Sequence, residues 1–473
     1  MGNRFNEVVG GVLTQSISTI PCPGSMPPGP RGSWLGGNFR DVRRDVLSFL
    51  TRCARDYGDI VGYRLLFFRG YLLNHPDYIE EVLVRNAGNF IKGRGLRANR
   101  ILFGRGLLTS EGEPWRRRRR LAQPSFHRER IAGYARVMVE HAEEMLQGWR
   151  DGEVRDVAQE MMRLTLQITA KTLFGADVAD EAPRVKVAFE EISRQNAGRT
   201  RLFHLPDAIP TPANVRYNAA VHQLDAIIYR IIDERRASGT TDADLLSTLL
   251  DARDEDGNSM SRSQLRDEVI TFLLGGHETT ALALSWACYL LAQHPEAEAT
   301  LINELAGILG GRKPTIDDVP ALRYTEAVIN EAMRLYPPAW LMVREAVSDC
   351  MIGGFRIRRG SSVVFSQWIM HRDARYFHHP ERFDPDRWLG GLAKQLPRFA
   401  YFPFGGGPRV CIGASFAMTE AILLLAAIAG RFHFDLVPGH PVVPMAAITL
   451  RPAHGIKVSL AKRKPLQSTV RAG

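Results

Sequence analysis

Cysteine is scarce in this chain. Five thiols are scattered over 473 residues, at Cys22, Cys53, Cys288, Cys350 and Cys411. None stands in a CxxC pair or at zinc-site spacing, which argues against a disulfide framework and for a reducing, cytoplasmic setting. Long apolar runs are missing as well. The stretch from Val8 to Ile20 is broken by Gly10, Gly11, Thr14, Gln15, Ser16 and Ser18. It falls short of the roughly 18 apolar residues that a transmembrane anchor requires, and it offers no apolar centre for a secretory leader. Asn6 stands where N-myristoylation wants Ser or Thr. Acidic residues are in deficit, 51 against 61 basic ones, and the net charge of +10 points to an acidic partner or an anionic surface. There is no internal repeat, and no shift of composition marks a domain boundary.

What is present reads as one large globular unit, with 45% hydrophobic and 24% charged residues. Residues 1–32 form a Pro- and Gly-rich lead-in, 33–461 a single mainly α domain with small β-sheets, and 462–473 a basic tail. Helices are predicted over Leu35–Tyr57, from Pro76 to Arg85, and over most of Trp115–Arg253. A hairpin, Ile60–Phe67 with Tyr71–Asn74, is predicted to turn at Arg69-Gly70. Asn89–Leu108 has little periodicity and reads as a long loop. The proline-bearing break Arg199–Asn214 reads as a mobile lid. Short strands follow Pro337, at Ile352–Ile357 and Ser362–Ser366, and strand character returns from Phe432 to Leu460.

Two stretches stand out within this frame. Ser261-x-x-Gln264 is a capping box that opens an apolar helix running to about Gln293. In its middle lies Gly275-Gly276-His277-Glu278-Thr279-Thr280, where adjacent glycines cost roughly 1 kcal/mol each against alanine. They either kink the helix, with Thr279 bonding back to its own carbonyls, or open room beside a hydroxyl. Near the C-terminus, Phe404-Gly-Gly-Gly-Pro-Arg409-Val-Cys411-Ile-Gly413 delivers a thiol to the start of the apolar helix Ala414–Phe432. Loop N–H groups and the helix dipole favour a thiolate there, although a lone buried thiol beside a turn would read similarly. Glu331 and Arg334, three apart on a helix, are a common surface pair worth tenths of a kcal/mol alone. The run Trp115-Arg-Arg-Arg-Arg-Arg120 lacks the interleaved aromatics of a nucleic-acid patch, and no nucleic-acid partner is expected. His371-Arg372-Asp373 has no companion kinase motifs, and the acidic run at Asp254 lacks a calcium loop's anchors.

Together, and in this order along the chain, these motifs resemble the cytochrome P450 superfamily. That resemblance implies a haem b held between the long central helix and the cysteine-loop helix, with Cys411 as the iron's thiolate ligand. Trp115, Arg119, Arg344 and Arg409 are then expected at the haem propionates. Phe404 and Gly413 are expected against the ring, and Gly275 and Gly276 at the oxygen site. Thr279 would steady dioxygen and Glu278 would relay protons, while Glu331, Arg334 and Arg382 would form a buried charge triad behind the cysteine loop. The implied activity is a monooxygenase that hydroxylates a hydrophobic small molecule such as a fatty acid, terpenoid or steroid. Its pocket would be lined by Phe272, Leu273, Trp340, Leu341, Met342, Met445, Ala446, Ala447 and Ile448. Electrons from NAD(P)H would come through a separate ferredoxin or flavodoxin and its reductase, steered by the remaining surface arginines of the 116–120 run. A monomer is expected. The rival readings are a peroxide-dependent haem-thiolate peroxygenase and, from another class, a haem-based sensor or carrier.

Overall fold

A computed structural model of the protein describes residues 26–196, 209–239, 244–253 and 257–464. The expected lid therefore lies mostly outside the described residues, as do most of the lead-in, most of the tail, and Asp254. Helices dominate, and the longest, Arg262–Gln293, forms the axis of the core. Its start obeys the capping box. The Ser261 hydroxyl accepts from the Gln264 N–H at 3.2 Å, and the Gln264 side chain accepts from the Ser261 N–H at 2.7 Å. At about 1.5 Å per residue the helix crosses the whole domain. It packs against Val157–Phe174, Pro212–Ser238, Arg323–Leu335 and Ala414–Ala429. Apolar residues surround it on every side, from Leu265 to Leu291, which is why its sequence shows little amphipathic pattern.

A five-stranded sheet flanks the helices, in the order Ile60–Leu65, Phe68–Leu73, Ser362–Phe365, Met342–Ala346, Phe90–Lys92. The first hairpin turns at Leu66-Phe67 and not at Arg69-Gly70. Gly70 is needed inside the strand: the Tyr63 ring lies over it, 2.3 Å from where a Cβ would stand. The expected helix Leu35–Tyr57 is two helices, Phe39–Arg44 and Val46–Tyr57, broken at Asp45, whose extended backbone lets its carboxylate cap the second by accepting from Ser48. Asn89–Leu108 is not a simple loop. It holds the edge strand Phe90–Lys92 and two short helices, Arg94–Ala98 and Arg100–Phe103. Tertiary pairing with Met342–Ala346 overrides its weak local pattern, and the register sets Lys92 directly opposite Arg344.

Candidate active site

The segment after Phe402 folds as a tight loop because its glycines adopt conformations closed to other residues. Gly405 and Gly407 have φ of +72° and +67°, and a Cβ on Gly407 would meet the Leu83 carbonyl at 1.8 Å. The Cys411 N–H donates to the Phe404 carbonyl at 3.0 Å, closing the loop. The Cys411 sulfur opens onto an interior cavity of about 360 Å³. Burial raises the pKa of this thiol, while the Gly413 N–H and the Arg119 guanidinium pull against that rise by favouring the thiolate. Across the cavity lie Gly275, Gly276 and Thr279 of the central helix, with Phe272 on the same wall.

The two glycines divide the work between them. A Cβ on Gly275 would meet nothing within 4 Å, so this position is the opening. At Gly276 a Cβ would stand 3.0 Å from the Thr169 methyl, so this glycine lets a neighbouring helix approach. The Thr279 hydroxyl faces the cavity while donating to the Gly275 carbonyl at 2.8 Å. Glu278 points elsewhere. Its carboxylate is buried, accepts from the Thr449 hydroxyl at 2.6 Å and pairs with Arg451. The expected acid–alcohol couple is thus not assembled at the cavity. His277 is packed as a structural residue, its ring on Leu273's carbonyl and edge-on to Phe189.

One rim of the cavity collects positive charge. Lys92 and Arg344 face each other across adjacent strands, both buried, an arrangement that is repulsive unless an anion is supplied. Arg409 lies over the Trp115 ring with its guanidinium carbon 4.7 Å from the ring centre. Arg119 donates to the Val410 carbonyl at 2.8 Å. Glu111 pairs with Arg409 and accepts from the Lys92 backbone N–H at 2.7 Å, Glu268 also lies near Lys92, and the Lys92 ammonium donates to the Leu107 and Ser110 carbonyls at 2.8 and 2.9 Å. Arg409 Nη1 is buried without a hydrogen-bond partner among the described residues. Desolvation, helped by Arg409 and Arg344, brings Lys92 down to about 7, and desolvation with Arg409 brings Arg344 down to about 10. An orphaned arginine N–H beside stacked cations is the donor set that a pair of carboxylates would complete, so these residues fit a haem's propionate edge. The sequence alone did not reveal Lys92, since nothing in Phe90-Ile91-Lys92 marks it until the strands pair.

Behind the loop sits a charge cluster of full hydrogen-bond valence. Every N–H of the buried Arg334 guanidinium is used: two on Glu331, both at 2.8 Å, and three on the carbonyls of His371, Pro380 and Arg382. The third charged member is Arg387, whose Nε donates to Glu331 at 3.0 Å, and not Arg382. Arg382 contributes its carbonyl and leaves its side chain exposed. Trp388 Nε1 and the Asp384 N–H complete the Glu331 carboxylate. From Arg334 the connection reaches the cysteine loop through His371, whose Nε2 accepts from the Phe402 N–H at 3.0 Å.

Several expected residues are placed differently. Among the pocket candidates Phe272 and Met342 line the cavity, as do Leu107, Leu108 and Phe126. Leu273 and Trp340 are buried in cores, and Leu341 packs against one. Met445 and Ala446 are held in a two-stranded sheet with Leu450–Pro452, and the Ala447 carbonyl accepts from the Trp340 indole. Neither they nor Ile448 reach the cavity wall. Arg118 is not a free surface charge. It pairs with the buried Glu268 at 2.6 Å, leaving Arg116, Arg117 and Arg120 exposed. A buried acid escaped notice altogether: Glu420, alone in the apolar helix Ala414–Ala429, lies beneath Thr280, and burial lifts it to about 8. A lone carboxyl in such a helix was the signal that could have found it.

Comparison with known proteins decides what this arrangement belongs to. The family model described as Cytochrome P450 matches residues 27–460. This chain belongs to the cytochrome P450 family. As a P450 monooxygenase it has informative relatives. It is 42% identical to cyclooctatin synthase of Streptomyces melanosporofaciens, over 89% of this chain and 92% of that protein. It is 35% identical to pentalenene oxygenase of Streptomyces avermitilis, over 94% of this chain and 98% of that one. Among solved structures, the cytochrome P450DA heme domain superimposes with a TM-score of 0.83 at 27% identity, covering 93% of this chain and 98% of its own. The P450 assignment makes this chain a haem-dependent oxidoreductase. No helix among the described residues is long and apolar enough to cross a membrane.

Proposed function

We propose that this P450 hydroxylates a terpenoid hydrocarbon, with Cys411 as the thiolate ligand of haem b. The observation that carries the reading is the opposition of the Cys411 sulfur and the Gly275–Thr279 notch across an apolar cavity whose rim holds under-neutralised cations. Lys92, Arg119, Arg344 and Arg409 would hold the propionates, with Trp115 as the platform beneath Arg409. When bound, the haem supplies activation of dioxygen and transfer of one oxygen atom to a C–H bond. The protein's own part is to bind, orient and exclude water. Phe272, Phe126, Leu107, Leu108 and Met342 present carbon surface to a substrate with few polar handles. Thr279 holds a hydroxyl at the cavity that can donate or accept a proton there. Gly275 keeps the space beside that hydroxyl free.

Terpenoids are preferred over fatty acids because the cations that line the cavity, Lys92, Arg119 and Arg409, are those assigned to the propionates, and because the relatives named above are a cyclooctatin synthase and a pentalenene oxygenase. Electrons would come from a small acidic ferredoxin or flavodoxin. The helix Gly112–Ala122 lies against the cysteine loop through Arg119, so exposed Arg116, Arg117 and Arg120 sit beside the thiolate's side of the molecule. The test is optical. The reduced, carbon-monoxide-treated protein is expected to show the Soret band of sulfur ligation. Cyclic sesqui- and diterpene hydrocarbons should displace the iron-bound water in difference spectra, and long-chain fatty acids should bind more weakly. Tighter binding of fatty acids would reject the substrate class while leaving the haem-thiolate reading intact.

A further inference from the structure

We propose that the corner formed by Trp34, Leu35 and Phe67 is a docking surface for an anionic lipid bilayer. This inference is independent of the substrate assigned above. Large apolar side chains are normally withdrawn from water, yet here Trp34 is 86% exposed, Leu35 73% and Phe67 88%. They stand together. The turn Ser33–Gly37 closes by reciprocal backbone hydrogen bonds of 2.9 Å, and the Leu66 N–H donates to the Gly36 carbonyl at 3.0 Å. Leu35 and Phe67 therefore flank one hydrogen bond between two neighbouring turns.

The corner is rigid. The Arg64 guanidinium donates to the carbonyls of Ser33 at 2.8 Å, Trp34 at 2.6 Å and Leu66 at 3.1 Å, tying both tips to one scaffold. Gly37 has φ of +58°, and a Cβ there would meet the Arg64 carbonyl at 2.1 Å, so only glycine closes the turn. A fixed display of bare apolar tips points to an insertion device more than to a worn surface. Leu66 itself adopts a positive φ of 53°, which lets Phe67 stand outward at the hairpin tip.

Charge selects the occupant. Arg31, Arg40, Arg43 and Arg44 are exposed and have no ion-pair partner among the described residues, and Asp41 and Asp45 are the acids on the same short helix and its end. Protruding aromatic and aliphatic tips, preceded by Arg31 and followed directly by a helix that carries Arg40, Arg43 and Arg44, match the headgroup region of an acidic bilayer, where tryptophan is favoured and each basic residue adds attraction. The tips project from turns, unlike the grooves that receive a helix or strand from a protein partner. With no membrane-crossing helix among the described residues, the contact would be peripheral.

The experiment uses the full-length, haem-loaded protein and large unilamellar vesicles of phosphatidylcholine, with or without an equal share of phosphatidylglycerol. Sedimentation should show binding to the anionic vesicles that weakens on raising salt. Trp34→Ser/Leu35→Ser/Phe67→Ser should lower the partition coefficient at least about tenfold with unchanged carbon-monoxide spectrum and melting temperature. Arg31→Gln/Arg40→Gln/Arg43→Gln/Arg44→Gln should abolish the preference for anionic vesicles. Spin-labelled lipid should quench wild-type tryptophan fluorescence more than that of Trp34→Phe. Equal partitioning of wild type and the triple variant overturns the proposal, whether residues 1–25 or another face bind instead. A concentration-dependent dimer that the triple variant loses, without vesicle binding, also overturns it and makes the corner a self-contact.

Discussion

Glu420 gives a stringent check on how this interior treats charge. It is the only ionisable side chain in the helix Ala414–Ala429, and the side chain is fully buried. Its nearest polar influence is the Thr280 hydroxyl, which also lies 3.3 Å from the Gly276 carbonyl, and neither carboxyl oxygen has a well-formed hydrogen bond among the described residues. Burial moves it from 4.5 up to about 8. Between those values the folded protein holds a proton that the unfolded chain has released. Stability therefore falls as pH rises from 4.5, by about 1.36 kcal/mol per pH unit, and levels off above 8. The whole effect is roughly 4–5 kcal/mol. Glu420→Gln keeps the shape and removes the titration. It should match or slightly trail the wild type at pH 5 and exceed it by several kcal/mol at pH 8, so the two stability curves cross. Guanidinium unfolding at unit pH intervals, followed by far-ultraviolet circular dichroism and haem absorbance, reads the difference directly. A gap between the proteins that stays constant within about 0.5 kcal/mol from pH 5 to 8 refutes the reasoning.

Three further outcomes are expected. Arg387→Leu removes a charged donor from the buried Glu331 carboxylate and should cost about 2–3 kcal/mol and speed haem loss; Arg382→Leu, on an exposed side chain, should stay within about 0.5 kcal/mol, and equal losses would refute the assignment. Lys92 stands near 7, surrounded by Arg409, Arg344, Glu111 and Glu268, and a bound propionate would restore its charge. Haem binding should then take up a proton, so that affinity drops up to about tenfold per pH unit above 7, and Lys92→Met should flatten that dependence in haem titrations of the apoprotein. Thr279→Ala should leave the carbon-monoxide spectrum unchanged and lower product formed per NAD(P)H several-fold; unchanged coupling would remove Thr279 from proton handling.

Features written in local signals were readable in advance. The Ser261–Gln264 box and the Phe404–Gly413 loop depend on residues a few positions apart, and the structure builds both of them. Features settled by distant contacts were not. Arg382 and Arg387 lie five apart in an irregular stretch, and only the short helix Asp386–Leu389 turns Arg387 and Trp388 toward Glu331. The hairpin offered a glycine at 70 as its turn, but strand pairing with Tyr63 claimed it and left Leu66 to take the positive φ. Met445 to Ile448 carry pocket-like side chains, yet their backbone is used to pair with Leu450–Pro452 and to hold Trp340.

The placement of Glu278 shows why a motif and a site are different objects. In the sequence it adjoins Thr279, and adjacency on a helix turns neighbouring side chains about 100° apart. Thr279 faces the cavity, so Glu278 must face a wall, and the wall it meets is the C-terminal strand Leu450–Pro452 and the residue before it. There Thr449 and Arg451 both hold its Oε1, while the Arg451 guanidinium carbon lies 5.7 Å from the centre of the Phe189 ring. A carboxylate so engaged fastens the strand Leu450–Pro452 to the central helix, and Glu278 does not line the cavity. If protons move at the Gly275 notch, the Thr279 hydroxyl is the group placed to hand them on, and Glu278 would have to leave Arg451 to take part. The helix thus turns Thr279 to the cavity and Glu278 to the strand Leu450–Pro452, while the bare Gly276 between them and Gly275 lets Thr169 of the neighbouring helix approach.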